Sequence, residues 1–177
     1  MLRFAILGAL LVANIFVWTF PTPHGLTVSF FNVGEGDSVF IQGPTGVQML
    51  VDGGPAGGGV LRELGRAMPF FDRSLDAVVE SSVSADDSAG LTDVLNRYHV
   101  GTFLESGVAP MTKAAQAVQE VVAAAGVADV IARRGMRLDL GGGAHADILY
   151  PDSDVPDTDA ASGSVIVRIV YGETSFL

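Results

Sequence analysis

The chain contains no cysteine and only three histidines. Without cysteine, the protein forms no disulfide, no zinc ribbon and no thiol-based catalytic site. A catalytic zinc site normally needs two or three imidazoles. The histidines are His24, His99 and His145, and no two of them show H-x-H or H-x-x-x-H spacing. Each is therefore expected to be structural or exposed, which argues against zinc catalysis.

Basic residues are also scarce. The 177-residue chain has 10 Lys and Arg against 20 Asp and Glu, and its formal net charge is −10. All the acidic residues lie after residue 20, where nine basic residues oppose them, so this part carries a charge of −11. Such a surface repels nucleic acid unless a basic patch or bound metal reverses the field. Arg133, Arg134 and Arg137 form the main basic cluster, which we interpret as a solvated turn rather than a phosphate site.

A long apolar run opens the chain. Residues 4–20 follow Arg3 and contain no charged side chain. As a helix they would reach roughly 25 Å, the short end of what spans a bilayer. Trp18 stands where an interfacial aromatic is expected, and Pro21 ends the helix. We predict that residues 1–25 form an uncleaved membrane anchor and a short linker.

The lone Arg3 orients this anchor. Positive charge favours the cytoplasmic side, so the expected location is the cell membrane, single-pass, with the C-terminal domain extracytoplasmic. A cleavable signal peptide is the rival interpretation, although no A-x-A-like site follows the run.

The remaining residues, 26–177, are predicted to form one α/β domain. Strands are predicted over residues 26–32, 37–42, 47–52, 75–81, 101–104, 130–132, 136–140, 145–150 and 164–171, with the opening of another at 175–177. Helices are predicted over residues 60–68, 91–98 and 112–125, the last of them capped by Thr112 and ended by Gly126. A β-rich start, an alternating middle and a β-rich end favour a layered α/β sandwich over a doubly wound sheet.

Two acidic turns follow predicted strands. The first is Asp52-Gly53-Gly54 and the second contains Asp86 and Asp87. The carboxyl ends of strands are where open α/β proteins usually place ligands. If the strands are neighbours, Asp52, Asp86 and Asp87 could converge and hold a hard divalent cation through oxygen. The alternative is that aspartate serves here only as a turn former.

Two stretches carry a recognisable pattern: LTVSFFNVGEGDSVFIQGPTGVQMLVDGGP (residues 26–55) and LDAVVESSVSADDSAGLTDVLNRYHVGTFLESG (residues 75–107). They resemble the metallo-β-lactamase-like domain of ComEC-type DNA-uptake competence proteins, in which F-x-D-V-G-Q-G-D-A is followed by P-x-G and I-D-G-G. The matching residues are Phe31, Val33, Gly34, Gly36, Asp37, Pro44, Gly46, Asp52, Gly53 and Gly54. The resemblance covers residues 26–177 in order and implies a metallo-β-lactamase-like αββα sandwich.

The metal motif of that family reads T-H-x-H/D-x-D-H-x-G-G-L and falls on residues 81–91. Only Asp86, Gly90 and Leu91 keep the family residue. The two histidine positions are Ser82 and Asp87, and the ligand position between them is Ser84. A neutral serine hydroxyl is a poor ligand for zinc or manganese, so most of the metal-binding energy would be lost.

What remains is a residual carboxylate set. The resemblance implies that the aspartate matching Asp52 supports the metal site without binding the metal. We therefore expect no cofactor and no catalytic residue. The open alternative is a divalent metal (Zn, Mn or Mg) held by Asp52, Asp86 and Asp87, with Ser82 and Ser84 at degenerate ligand positions.

The family continues after its last strand into a T-G-D turn that carries a bridging aspartate. This chain ends at Leu177, where that turn would begin, so we expect a sandwich truncated before its second half is complete. Residues 164–177 would then form an exposed apolar edge that a protein partner could cover.

Together these features predict a membrane-anchored ComEC-like domain that has lost most metal ligands, a non-catalytic accessory or binding module related to DNA uptake. The alternative is an active metal-dependent hydrolase, a nuclease-like phosphodiesterase of which this chain is a fragment. A shortened product without a stable fold is a third interpretation. DNA as a partner is implied by the resemblance and disfavoured by the negative charge.

Overall fold

Two β-sheets and three helices make up residues 25–110, 112–154 and 163–177, which are the residues that the computed structural model describes. The strands are β1 (Thr27–Phe30), β2 (Val39–Gln42), β3 (Gln48–Val51), β4 (Ser74–Val79), β5 (His99–Glu105), β6 (Ala128–Ile131), β7 (Arg137–Gly141), β8 (Ala144–Tyr150), β9 (Ile166–Tyr171) and β10 (Thr174–Phe176). The helices are α1 (Gly59–Ala67), α2 (Ala85–Leu95) and α3 (Lys113–Ala125). The predicted anchor, residues 4–20, lies outside the described residues, among which no helix is long and apolar enough to cross a membrane.

The first sheet positions the candidate site. Its six strands follow the order β1-β2-β3-β4-β5-β6, with antiparallel pairs up to β3 and parallel pairs from β3 onward. The three helices connect the parallel strands, because a parallel pair needs a crossover. The carboxyl ends of β3, β4 and β5 therefore meet at one edge of the sheet.

The second sheet is antiparallel, in the order β10-β9-β8-β7. The strand expected to open at residues 175–177 is present as β10, one residue earlier, where Phe176 pairs with Ile169. This makes β10 an edge strand, and Phe176 is 39% exposed. The protein partner predicted for this edge stays a prediction.

Two separate cores hold the layers together. Side chains alternate along a strand, and the alternation divides the first sheet: Phe40 and Leu50 pack against the helices, while Ile41 and Met49 pack against the second sheet. The helix core is completed by residues of all three helices, including Val60, Leu64, Leu91, Val94, Val118 and Val122.

The layer order is therefore helix, sheet, sheet. The outer face of the second sheet is polar: Asp147 on β8 contacts Arg137 at 2.7 Å and Arg168 at 2.9 Å. These arginines hold the pKa of Asp147 at about 2. No helix among the described residues covers this face, so three of the four layers of the predicted αββα sandwich are observed.

Local capping explains which helix boundaries were predicted well. Thr112 Oγ1 accepts a hydrogen bond from Ala115 N–H at 3.1 Å, and Gly126 ends α3 in the left-handed conformation with φ 65°. The prediction for the preceding helix was wrong by several residues. Ser84 caps α2 by accepting from the Asp87 N–H, so this helix starts at Ala85 instead of residue 91.

The observed start of α2 corrects the prediction that Asp86 and Asp87 lie in a turn. Asp86 and Asp87 lie in the first turn of α2, not in a loop. Carboxylates are favourable there because the unpaired N–H groups give the helix N-terminus a partial positive charge. Both aspartates therefore lie where the helix N-terminus stabilises a carboxylate.

Candidate functional site

Asp52 is the centre of the candidate site. It directly follows β3 and is only 4% exposed. Its φ of 60° lies in the left-handed region, which aspartate tolerates better than most residues. Both backbone groups are bonded: the N–H donates to the Val79 carbonyl at 2.9 Å, and the carbonyl accepts from Ser38 Oγ at 2.9 Å. The surrounding loops thus hold Asp52 in one conformation.

Ser81 occupies both oxygens of the Asp52 carboxyl. Its N–H donates to Oδ1 at 2.8 Å, and its Oγ donates to Oδ2 at 2.5 Å. Burial raises the pKa of Asp52 to about 7, although the hydrogen bonds from Ser81 lower it, and the nearby carboxylates of Asp87 and Asp37 raise it further. The Asp52 carboxyl therefore ionises near neutral pH.

Asp87 links three segments through similar contacts. Its Oδ2 accepts from Ser84 Oγ at 2.6 Å, and its Oδ1 accepts from the Asp37 N–H at 3.1 Å. Its backbone carbonyl accepts from the Gly53 N–H at 2.8 Å. The loop after β1, the loop after β3 and the first turn of α2 are thereby joined at one residue.

The loop after β3 also touches the backbone of α2. The Gly90 N–H donates to the Gly54 carbonyl at 2.8 Å. A Cβ placed at Gly53 would lie 2.7 Å from the carbonyl carbon of Gly90, closer than side-chain carbons approach other atoms. Glycine at positions 53 and 90 therefore allows the loop after β3 and the backbone of α2 to meet.

The predicted ligand positions do not assemble a metal centre. Ser82 Oγ accepts from the Ser84 N–H at 3.2 Å, and the Asp86 side chain is exposed outside the network of Asp52 and Asp87. Over the described part of the chain, no group of three or more His, Asp and Glu side chains is arranged to hold a metal ion. The structure therefore brings Asp52 and Asp87 together, whereas it leaves the Asp86 side chain exposed to solvent.

The two histidines among the described residues, His99 and His145, do not supply the missing ligands. His99 opens β5, at the opposite end of the sheet from Asp52. His145 lies on β8 of the second sheet, 3.7 Å from Asp147. His24 precedes the described residues. With serine hydroxyls at two of the ligand positions, and with the oxygens of Asp52 and Asp87 already hydrogen-bonded, the donor set does not fit a bound zinc ion.

Two further carboxyls at this edge were missed in the sequence. Glu80 directly follows β4, and Glu105 is the last residue of the neighbouring strand β5. The Glu80 N–H donates to the Leu104 carbonyl at 2.8 Å. The detectable signal was an acidic residue closing each of two apolar runs, AVVE and TFLE. Glu105 Oε2 accepts from Gln119 Nε2 at 2.6 Å.

Glu80 is the most unusual of these groups. It is 2% exposed, and its Oε1 has no hydrogen-bond partner among the described residues. Burial raises its pKa to about 8, and the carboxylates of Glu105 and Asp52 add to the increase. Burial likewise raises the pKa of Glu105 to about 7, with a contribution from Asp129. Burial at this edge thus raises the pKa of Asp52, Glu80 and Glu105 above the ordinary carboxyl range.

Solved structures share this layered arrangement. A metallo-β-lactamase from Cronobacter sakazakii superimposes with a TM-score of 0.55 over 80% of this chain and 54% of its own, at 14% identity. A subclass B3 metallo-β-lactamase from a soil metagenome library gives 0.56 over 87% of this chain and 59% of its own, at 15% identity. The chain has the metallo-β-lactamase fold. The flavodiiron protein from Giardia intestinalis is also similar, with a TM-score of 0.54 over 85% of this chain and 39% of its own, at 14% identity.

At such low identity the likeness shows the fold alone. The chain spans somewhat over half the length of the two β-lactamases. No family model matches it, and no curated protein sequence matches it. The metallo-β-lactamase-like fold expected from the sequence is thus confirmed, and the comparisons do not link the chain to the DNA-uptake proteins.

Proposed function

We propose that this protein is a membrane-anchored metallo-β-lactamase-fold domain that works without a bound metal, as a binding or accessory module. One observation carries the proposal. The carboxyl oxygens of Asp52 and Asp87 are engaged by Ser81, Ser84 and the Asp37 N–H at 2.5 to 3.1 Å. Hydrogen bonds within the protein stand where metal coordination would require free carboxylates and imidazoles.

The hydroxyls of Ser82 and Ser84 already have hydrogen-bond partners within the protein. Ser84 both caps α2 and donates to Asp87, so its hydroxyl is already used twice. The Ser82 hydroxyl accepts from the Ser84 N–H. A metal would have to displace these contacts, and the hydroxyls that it would meet at positions 82 and 84 are neutral ligands that bind divalent ions weakly.

The relation to DNA uptake is the finer part of the proposal. It rests on the motif residues shared with ComEC-type proteins, such as Gly36, Asp37 and Asp52. The charge of −11 on the part after residue 20 opposes direct binding of DNA. We therefore favour a protein or small-molecule ligand over a nucleic acid.

The test is a thermal melt of the full-length protein with and without Zn²⁺, Mn²⁺ and Mg²⁺. A metal at a hundredfold excess over its dissociation constant would add about 2.7 kcal/mol of stability and raise the melting midpoint by a few degrees. We expect no such rise. The matched variants are Asp86→Ala and Asp93→Ala, both on α2.

A rise in the melting midpoint of the unsubstituted protein would overturn the metal-free proposal, and its loss in Asp86→Ala but not in Asp93→Ala would assign the metal to the predicted ligand positions. It would support the second candidate, a metal-dependent hydrolase. That candidate is favoured by the fold neighbours, whose names describe metallo-β-lactamases and a flavodiiron protein. Metal-dependent cleavage of DNA or of a model phosphodiester, lost in Asp86→Ala, would establish it.

The anchor is tested separately. If residues 4–20 span the bilayer, the protein should stay with membranes after carbonate washing, because this run is uncharged. Recovery of the full-length protein in the soluble fraction after mild lysis would exclude the anchor. That result would leave the metal-free proposal for the domain untouched.

A further inference from the structure

An exposed aromatic pair lies on the loop between α1 and β4. Phe70 is 82% exposed and Phe71 is 68% exposed. Their rings meet edge to face, with centroids 5.4 Å apart. By contrast, Phe40 and Phe103 in the helix core are 2% and 0% exposed. Two adjacent exposed aromatics indicate contact with something outside the domain.

Hydrogen bonds fix where this loop lies. Asp72, the next residue along the chain, accepts from Gln48 Nε2 at 2.9 Å. Gln48 pairs with Gln42, and Gln42 pairs with Thr27 at the start of β1. Thr27 and Gln48 are thus two strand spacings apart, about 10 Å.

The aromatic pair and the start of the domain therefore share one end of the sheet. β1 is the strand that the chain reaches directly after the apolar run of residues 4–20. If that run spans a bilayer, this end of the sheet faces the membrane surface. The connection from residue 20 to Thr27 is short, so it holds the domain close to the lipid.

The candidate site lies at the other end. Ser74 begins β4 beside the aromatic loop, and Ser81 follows the carboxyl end of the same strand. Six strand residues separate these ends by about 20 Å. The loop and the site therefore lie on opposite sides of the domain.

We propose that Phe70 and Phe71 insert into the interfacial layer of the membrane that anchors the chain. The inference rests on the proposed anchor and adds a second contact to it. Aromatic side chains are favoured at this depth because an apolar ring can be buried without crossing the lipid core. Two contacts would fix the orientation of the domain and point Asp52 away from the bilayer.

The absence of cysteine makes the test direct. Phe70→Cys and Phe71→Cys are prepared in the full-length chain, each labelled with an environment-sensitive fluorophore, in phosphatidylcholine vesicles. Glu35→Cys is the control, because Glu35 is exposed in the loop after β1 at the candidate-site end. Lipids carrying a nitroxide in the upper acyl chain quench only labels that reach this depth.

We expect the labels at positions 70 and 71 to be quenched at least about twofold more than the label at position 35, with their emission shifted to the blue. Quenching no greater than at position 35, in protein that floats with the vesicles, would overturn the insertion alone. Protein that does not float would overturn it together with the anchor. Circular dichroism of each variant confirms that the domain is folded before either result is read.

Discussion

Replacing Glu80 by glutamine is the most direct test of the raised carboxyl pKa values at this edge of the sheet. Glu80 is 2% exposed with one unpartnered oxygen, and its pKa is raised from 4.5 to about 8, first by burial. A raised pKa means that the folded state binds this proton more tightly than the unfolded state. The resulting stability is fully present below pH 4.5 and is lost as the pH rises through about 8.

The magnitude follows from the same values. Each tenfold change in proton affinity is worth about 1.4 kcal/mol, so ionising Glu80 costs the folded protein at most about 5 kcal/mol. The glutamine variant does not ionise. At about pH 5 it should be less stable than the wild type by about 1 kcal/mol, because its amide is buried without new partners. At about pH 9 it should be the more stable protein, since the wild type has then lost the larger amount.

The assay is urea unfolding of the full-length protein, followed by far-ultraviolet circular dichroism. Fluorescence of the single tryptophan, Trp18, does not report on the domain, because this residue precedes it. Glu120→Gln is the matched control: Glu120 is exposed on α3, and its profile should follow that of the wild type. Parallel profiles for the wild type and Glu80→Gln between about pH 5 and about pH 9 would refute the reasoning.

Two further substitutions probe the contacts that build the site. Ser84→Ala removes the cap of α2 and the donor to Asp87, and should lower the free energy of unfolding by about 1–2 kcal/mol, whereas Ser153→Ala on an exposed loop should change it little. Gly53→Ala should cost about 2–3 kcal/mol because its Cβ would overlap the backbone of α2. Gly65→Ala, in open space on α1, should instead stabilise by about 0.5–1 kcal/mol. Urea unfolding measures all four, and equal effects for the two glycine variants would contradict the close contact.

The sequence by itself was sufficient for features that depend on near neighbours along the chain. Thr112 caps α3 through a residue three positions away, and Gly126 ends it through its own backbone conformation. Alternation of apolar and polar residues predicted the strands, and the family motifs predicted the metallo-β-lactamase fold. Both patterns consist of residues that lie close together in the sequence. The start of α2 was missed since Ser84, the true cap, lies in a run of serines with no apolar periodicity.

The tertiary structure decided what the acidic residues do. Asp52 meets Ser81 across 29 positions, and Asp87 meets the Asp37 N–H across 50. Burial of Glu80 and exposure of Phe70 likewise depend on which elements pack above them, not on their sequence neighbours. Capping and alternation are short-range interactions that a sequence displays directly. Desolvation and long-range hydrogen bonds exist only once the sheet edge has formed. Only the tertiary structure could therefore show that the carboxyls of Asp52 and Asp87 accept hydrogen bonds from segments distant in the sequence.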